Sequence, residues 1–512
     1  MLINKNWRRW VGTVGLCSLL GCTQLAQAGV VKRFVPESST WATLAPSVEL
    51  ETASNASESL LLRLDAMEGK NAQINWVPQS VSNISLQTYQ VIQGTATSGA
   101  MDALQPLANN ATTSIQSNTN QLLIKASIPA GTPAGTYRWI VQVLENRVVS
   151  YRGELKVTVY PLTLDKPNIT LQGNLLFKRT DIPDAIVQSL LQKMRAYDFN
   201  SVILPKQYLK SDVLSPLEQY VLDNFQTIRL SSRAQFSRNS TLSDTLVSAG
   251  LTRAHWLNEE CNYINTLASK LRNRSKLGNN FVYKLWDEPL PINYPEVAYS
   301  YSSVRQCAPG IALELTEEPA AALGDIADIW TVNINALSEN AVKTAKQQRD
   351  RIYLYANRFH DIQGNPQRIR SLGWLMGYFG IEGYHFWSVS DWDNGSFIQS
   401  IGETGNEERG TLFYWDPASN QILASLRMEM FHQGLDDMQL LAKVKSCAAN
   451  PALKNSASAA QLLQRLTQVM QQWNFNAANA PVPAWQIYRK ELLTNAVACN
   501  EVKMRRPLAL TP

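Results

Sequence analysis

Two carboxylates stand side by side in Trp286-Asp287-Glu288-Pro289, at the end of the apolar, aromatic run Phe281-Val-Tyr-Lys-Leu-Trp286. A carboxyl group can give or take a proton, and an ionised one can orient or stabilise developing positive charge. The pair is therefore a candidate acid/base centre. The run before it reads as a buried strand. Proline cannot donate to a sheet ladder, so the strand ends there and leaves the pair at its carboxyl end. In a β/α barrel, that end carries the catalytic residues. Neighbouring side chains on an ideal strand point to opposite faces, so Asp287 and Glu288 share a site only where the strand frays or kinks. Two solvated acids in a turn are the competing reading, and the rest of the chain decides between them.

The elements that must position the pair are legible as a pattern. From about residue 166, strand-like runs alternate with helical ones. The strand-like runs cover residues 169–177, 201–205, 227–231, 281–288, 311–316, 326–332, 352–356 and 383–389. Thr180 or Asp181 is placed to cap a helix whose apolar face is Ile186, Leu190, Met194 and Tyr197. Eight strands with intervening helices predict an α/β architecture, a (β/α)8 TIM barrel over residues 166–440, with the acidic pair on its fourth strand. Residues 29–165 read as an all-β sandwich, built of short alternating runs separated by Ser, Asn, Thr and Gly-rich turns. Residues 441–512 read as a helical tail that caps the barrel, with Leu462, Leu463, Leu466, Val469, Met470 and Trp473 at helical spacing.

The amino terminus predicts export. Lys5, Arg8 and Arg9 precede an apolar run from Trp10 to Leu20, so residues 1–28 are a targeting segment. Leu19-Leu-Gly-Cys22 has the form of a lipobox, with Cys22 the lipidated residue; Ala26-Gln-Ala28 fits ordinary signal-peptide cleavage instead. The apolar run is too short to span a bilayer, which leaves a lipid anchor at Cys22 as the membrane attachment. In a bacterium with two membranes, Thr23 after the cysteine gives no inner-membrane retention signal, so a lipoprotein is expected at the outer membrane; cleavage after Ala28 would instead give a periplasmic or secreted protein. Export gives meaning to Cys261, Cys307, Cys447 and Cys499. They allow three pairings, of which Cys261–Cys307 with Cys447–Cys499 keeps each bridge inside one region. A net charge of +5 over 512 residues, with no basic block past the terminus, gives no support for nucleic-acid binding. The four histidines are scattered and no spacing resembles a zinc site, so neither metal nor cofactor is expected.

With these pieces in order, the chain resembles the glycoside-hydrolase-like family first catalogued as domain of unknown function 4091, which includes the glycoside hydrolase family 123 enzymes. The resemblance rests on Pro129-Ala-Gly-Thr-Pro-Ala-Gly-Thr-Tyr137, Leu155-Lys-Val-Thr-Val-Tyr160, Trp286-Asp-Glu-Pro289, Arg370-Ser-Leu-Gly-Trp374, Gly380-Ile-Glu-Gly-Tyr-His-Phe-Trp387, Ser425-Leu-Arg-Met-Glu429 and Gly434-Leu-Asp-Asp437. It implies hydrolysis of β-linked N-acetylhexosaminides in an oligosaccharide or polysaccharide. Glu288 would be the general acid/base, and Asp287 would orient the substrate's 2-acetamido group, whose carbonyl oxygen is the nucleophile. Such a reaction needs no protein nucleophile, so two carboxylates on opposite sides of the bond are not required. The seventh strand ends Tyr355-Ala-Asn-Arg358 with no carboxylate, which fits.

Trp286, Asn357, Tyr384, Trp387 and Trp392 are the candidate substrate-binding residues, the aromatics as stacking faces and Asn357 as a hydrogen-bonding group. His385 is expected in the core, and Arg427 with Glu429 as a structural ion pair. Two other functions compete. One is a glycosidase for another sugar, using Glu288 with a second acid among Glu317, Glu318, Asp391 and Asp393. The other is a non-catalytic envelope lipoprotein that binds glycans.

Overall fold

The computed structural model describes residues 31–35, 38–65, 67, 69–93, 101–116, 120–175, 182–204, 208–209, 213–236, 241–248, 250–272, 281–356, 365–390, 392, 411–473 and 483–499. The targeting segment with Cys22, the proposed caps Thr180 and Asp181, and Asn357, Asp391 and Asp393 lie outside these. The chain divides into two compact units, residues 1–91 with 105–161, and residues 92–104 with 162–512.

The first unit is built of sheets. One runs in the order Thr40–Thr43, Val31–Val35, Ala56–Leu64, Gln121–Ile128, Ser85–Gln93, Met101–Leu107; the other runs Ser47–Ser54, Val148–Thr163, Gly135–Glu145, Lys70–Pro78, Thr112–Ile115. Alternate residues turn inward, as in Trp139, Val141 and Val143 against Leu155, Val157 and Val159. Their apolar faces share one core with Leu62, Leu64, Ile74 and Trp76. The expected sandwich is present.

The second unit contains a closed barrel of eight parallel strands: Thr170–Asn174, Ser201–Ile203, Thr227–Phe236, Phe281–Asp287, Ala312–Thr316, Ile329–Asn333, Arg351–Tyr355 and Gly383–Phe386. The first and eighth pair in parallel and close the ring. Each strand coincides with a predicted run, and Phe281–Asp287 is the fourth. The first helix, Asp184–Ala196, buries Ile186, Leu190 and Met194 as its spacing requires, but it starts behind Pro183, which makes no side-chain cap bond. Toward the amino ends of the strands, Val282, Ile329 and Tyr353 form an apolar plug. Gly383 makes room for it, since a Cβ there would lie 2.4 Å from the Tyr353 ring.

Three helices follow: Leu426–Ala448, Ser456–Gln472 and Trp485–Cys499. The first lies on Gln367–Phe379 at a backbone-to-backbone crossing. A Cβ on Gly373 would sit 1.8 Å from the Gly434 carbonyl oxygen, and one on Gly434 would sit 2.3 Å from that of Arg370. Beside this crossing the fully buried Asp437 accepts from Arg370 (2.8 and 3.1 Å), Arg489 (2.7 Å) and the Trp374 indole (3.1 Å). Disulfides Cys261–Cys307 and Cys447–Cys499 form, which is the pairing that keeps each bridge local. Such bridges belong to oxidising compartments. Among the described residues no helix is long and apolar enough to cross a membrane.

One expected contact is corrected. Arg427 turns to Asp102, on the 92–104 stretch of this unit, with Nη2 2.8 Å from Oδ2, whereas Glu429 accepts from Tyr197 and Gln433. Residues two apart on a helix do not face each other, so each found its own partner.

Asp437→Asn would leave two buried guanidinium groups without their shared counter-ion. Breaking a buried pair in this way costs about 3–5 kcal/mol. The denaturant midpoint is expected to fall accordingly, and an unchanged midpoint would show that the crossing does not depend on the charge.

Candidate active site

Inside the barrel, above the apolar plug, lies a polar layer. Glu314 on the fifth strand accepts from Arg229 on the third (2.9 Å), Thr331 on the sixth (3.0 Å) and Gln172 on the first (3.3 Å). Side chains from the first, third, fifth and sixth strands can meet like this only in the barrel interior. Glu314 is fully buried, so its charge is tolerated because its oxygens are engaged by a cation and two neutral donors. His385 on the eighth strand is also buried, and its Nδ1 has no hydrogen-bond partner among the described residues. Burial, reinforced by Arg229 and Lys284, holds its imidazole well below the usual histidine range, so it is neutral. This matches a core role.

The fourth strand breaks its own regularity just before the acidic pair. Lys284 pairs in register with Glu314, but the next partnered residue, Asp287, pairs with Thr316. Three residues on one strand therefore span two on the other, a β-bulge at Leu285 and Trp286. Their amide groups are not lost to the ladder without compensation. The buried Tyr301 hydroxyl, from helix Tyr294–Cys307, accepts from both (3.4 Å each) and donates to the Glu314 carbonyl at 2.6 Å. The bulge gives Lys284 and Asp287 the same side of the strand, with Nζ 2.5 Å from Oδ1.

Glu288 then adopts φ 48°, the left-handed region that a residue with a Cβ rarely occupies. Strain of this kind, roughly 1–3 kcal/mol, persists where the surroundings dictate the conformation and concentrates at functional sites. The turn sends Glu288 across the mouth to the seventh strand, where its carboxyl accepts a hydrogen bond from the Tyr355 hydroxyl. Bulge and turn together bring two adjacent residues to one site, which an ideal strand forbids.

The two carboxyls have different environments. The Lys284 ammonium beside Asp287 holds its carboxyl below the usual range against the opposing pull of desolvation, with Arg229 assisting. Asp287 is 62% exposed along its side chain, so solvent screens this pair, and its effect is on proton affinity rather than fold stability. Glu288 has a neutral phenol for a partner. Burial and the neighbouring Glu288 push the Tyr355 phenol up, so it stays a donor.

Several predicted binding residues are placed elsewhere. Trp286 is fully buried, stacked on Phe236 at 4.9 Å with its indole donating to Ser300, so it supports the pair from behind rather than meeting substrate. Tyr384 is fully buried between Phe386 and Phe431, on the outward side of the eighth strand. Trp392 is buried too, its indole donating to the Phe413 carbonyl. Strand alternation and apolar area drew these three inward. Trp387 alone of the four aromatics is half-buried, and its carbonyl is fixed by Asn174 from the first strand at 2.6 Å. Of the alternative acids, Glu317 accepts from Tyr294, whose phenol is pushed up to about 12 chiefly by burial.

Sequence reading missed Lys284, Tyr301 and Tyr355. A signal existed for the first: a lysine inside Phe-Val-Tyr-Lys-Leu-Trp must face something polar. The two tyrosines carried no local signal, because their partners are distant in sequence.

A family model of the glycoside hydrolase 123 catalytic domain matches residues 225–444, which hold the third to eighth strands and the acidic pair. Among solved structures, a family 123 glycoside hydrolase from Clostridium perfringens, described for glycolipid glycan hydrolysis, superposes with a TM-score of 0.60 at 11% identity. The match covers 88% of this chain and 93% of that one. A β-D-glucuronidase from Dictyoglomus thermophilum gives a TM-score of 0.34 at 12% identity over 80% of this chain and 68% of its own. A family 39 glycoside hydrolase from Bacteroides cellulosilyticus WH2 gives 0.34 at 11% over 78% and 82%. No curated protein matches in sequence. The family match supports a glycosidase with a carbohydrate substrate, and the Clostridium superposition shows a shared fold.

Tyr355→Phe removes the hydroxyl that reaches Glu288 and nothing else. A hydrogen bond to a charged group contributes about 1.5–3 kcal/mol. Turnover is expected to fall roughly 10- to 100-fold with the unfolding midpoint little moved, and unaltered turnover would remove Tyr355 from the site.

Proposed function

We propose that this chain hydrolyses β-linked N-acetylhexosaminides, with the substrate's own 2-acetamido group as nucleophile. Glu288 donates its proton to the glycosidic oxygen as the bond to the anomeric carbon breaks. The acetamido carbonyl oxygen attacks that carbon and forms a bicyclic oxazolinium, whose N–H positive charge lies against ionised Asp287. Water then opens the ring, and Glu288 takes its proton, which restores the starting state.

The observation that carries this reading is the unequal treatment of two adjacent carboxyls. One is held by a buried ammonium, and the other is held by a neutral phenol across the mouth. Carboxyls whose environments differ in this way are suited to different roles in one reaction. The described part of the seventh strand supports the same mechanism, because it offers Tyr355 where a protein nucleophile would need a carboxylate. The half-buried Trp387 is the aromatic face best placed for a sugar ring. Asn357, two residues past Tyr355, is the candidate for a polar contact to the sugar.

The test is purified protein on aryl N-acetyl-β-galactosaminide, aryl N-acetyl-β-glucosaminide and plain aryl β-galactoside. Cleavage of an acetamido sugar is expected, with a loss of about 10²- to 10⁴-fold in Glu288→Gln. Equal cleavage of the plain galactoside would rule out acetamido participation. Inactivity on all three and on native polysaccharide, with glycan binding intact, would turn the reading into a binding function.

The place of action follows from the amino terminus. An exported protein lipidated at Cys22 would work at the outer membrane on surface or environmental polysaccharide, and two disulfides suit that compartment. Cys22→Ser is expected to move the protein from membranes to the soluble fraction. An unaltered distribution would sink the lipid anchor.

A further inference from the structure

The position of Lys284 is as unusual as that of the acids. Its side chain is 10% exposed, inside a barrel whose other described interior carboxylate, Glu314, is already held by Arg229, Gln172 and Thr331. A buried ammonium needs a counter-ion. On a regular strand, residues three apart face opposite ways, so Asp287 could not serve. The bulge makes the pairing possible, and in the same stroke turns Asp287 into the mouth of the barrel.

We propose that Lys284 is the positioning residue of the adjacent pair: across the bulge it holds Asp287 as its counter-ion, so that Asp287 serves as the anion at the mouth while Glu288 is left to its separate partner, Tyr355. The assignment rests on reading Glu288 as the acid. The role assigned to Lys284 is exerted through Asp287.

Every neighbour of Asp287 is compatible with this division. Arg229, from the third strand, adds positive potential. Tyr301 and Tyr355, from the following helix and the seventh strand, lie near enough to feel its charge, and burial keeps both phenols protonated. His385, from the eighth strand, is neutral, so it does not compete for the carboxylate. Glu288 is the adjacent acid. A carboxyl held low stays ionised until pH falls through its lowered value. Without the cation, Asp287 takes up its proton at higher pH, and the function that needs it ionised is lost earlier on acidification.

The experiment compares wild type with Lys284→Met and Lys284→Arg. The Asp287 carboxyl is titrated by carbon NMR with labelled aspartate, its resonance identified by loss in Asp287→Asn, and kcat/KM is followed against pH. In Lys284→Met the Asp287 midpoint and the acidic limb are expected to rise together by about one pH unit, the lower end of the effect of an adjacent cation. In Lys284→Arg both are expected to stay near wild type. A folded Lys284→Met protein with an unmoved midpoint overturns the proposal, and so does activity lowered equally at every pH. Should the Met variant not fold, Lys284→Gln carries the same test. If wild type cleaves no glycoside, the hydrolase reading fails, and the NMR midpoint still decides whether Lys284 sets the ionisation of Asp287.

Discussion

The hydroxyl of Tyr301 is the contact on which the site turns. A bulge in a barrel strand exposes amide groups that the ladder no longer satisfies, and buried amide groups without partners are costly. One fully buried phenol accepts from two of them and passes its own proton to the carbonyl of Glu314 on the next strand. With the bulge held in this way, Lys284 and Asp287 face the same side, Trp286 is turned to the surrounding helices, and Glu288 begins the turn that reaches Tyr355. Were the strand regular, the acids would point to opposite faces.

The polar layer beneath the site gives that arrangement a rigid floor. Arg229 with Glu314, and Lys284 with Asp287, balance one another, so the barrel carries charge at its centre without carrying net charge there. A satisfied network of this kind admits few alternative arrangements, because any shift strands a donor or acceptor in a low-dielectric interior. The left-handed backbone at Glu288 is the opposite case. It is locally unfavourable and is held by what surrounds it, on one side the bulge and on the other the buried Pro289.

Much of what made the sequence resemble a hydrolase family turns out to be scaffold. Arg370, Gly373 and Trp374 meet Gly434 and Asp437 at a single helix crossing, where two glycines allow backbone contact and one aspartate collects two arginines and an indole. Those residues are far from the acidic pair in the chain, and they pack the helix between the seventh and eighth strands onto the helix that follows the barrel. The tail shares in this packing, since Arg489 reaches the same aspartate and Trp485 stacks on Trp374 at 4.6 Å. A motif can therefore mark a family through its packing while a few other residues carry the chemistry.

Features set by local pattern could be read from the residues alone. Eight strand-like runs, the proline that ends the fourth and the pair of acids before it were all legible, because periodicity and backbone chemistry are short-range properties, whereas the four cysteines left three pairings open until the fold brought two pairs together. The aromatic residues were legible as aromatic but not as to where they point, and Trp286, Tyr384 and Trp392 went to the core because burial of their large apolar area outweighs other uses. That Asp287 turns to Lys284 and Glu288 to Tyr355 was set by the closed barrel. That depends on Tyr301 entering a bulge from a later helix, on Lys284 finding its counter-ion three residues away, and on Tyr355 arriving from the seventh strand. Each is a contact between groups that no sequence period relates, so it exists only once the barrel is closed.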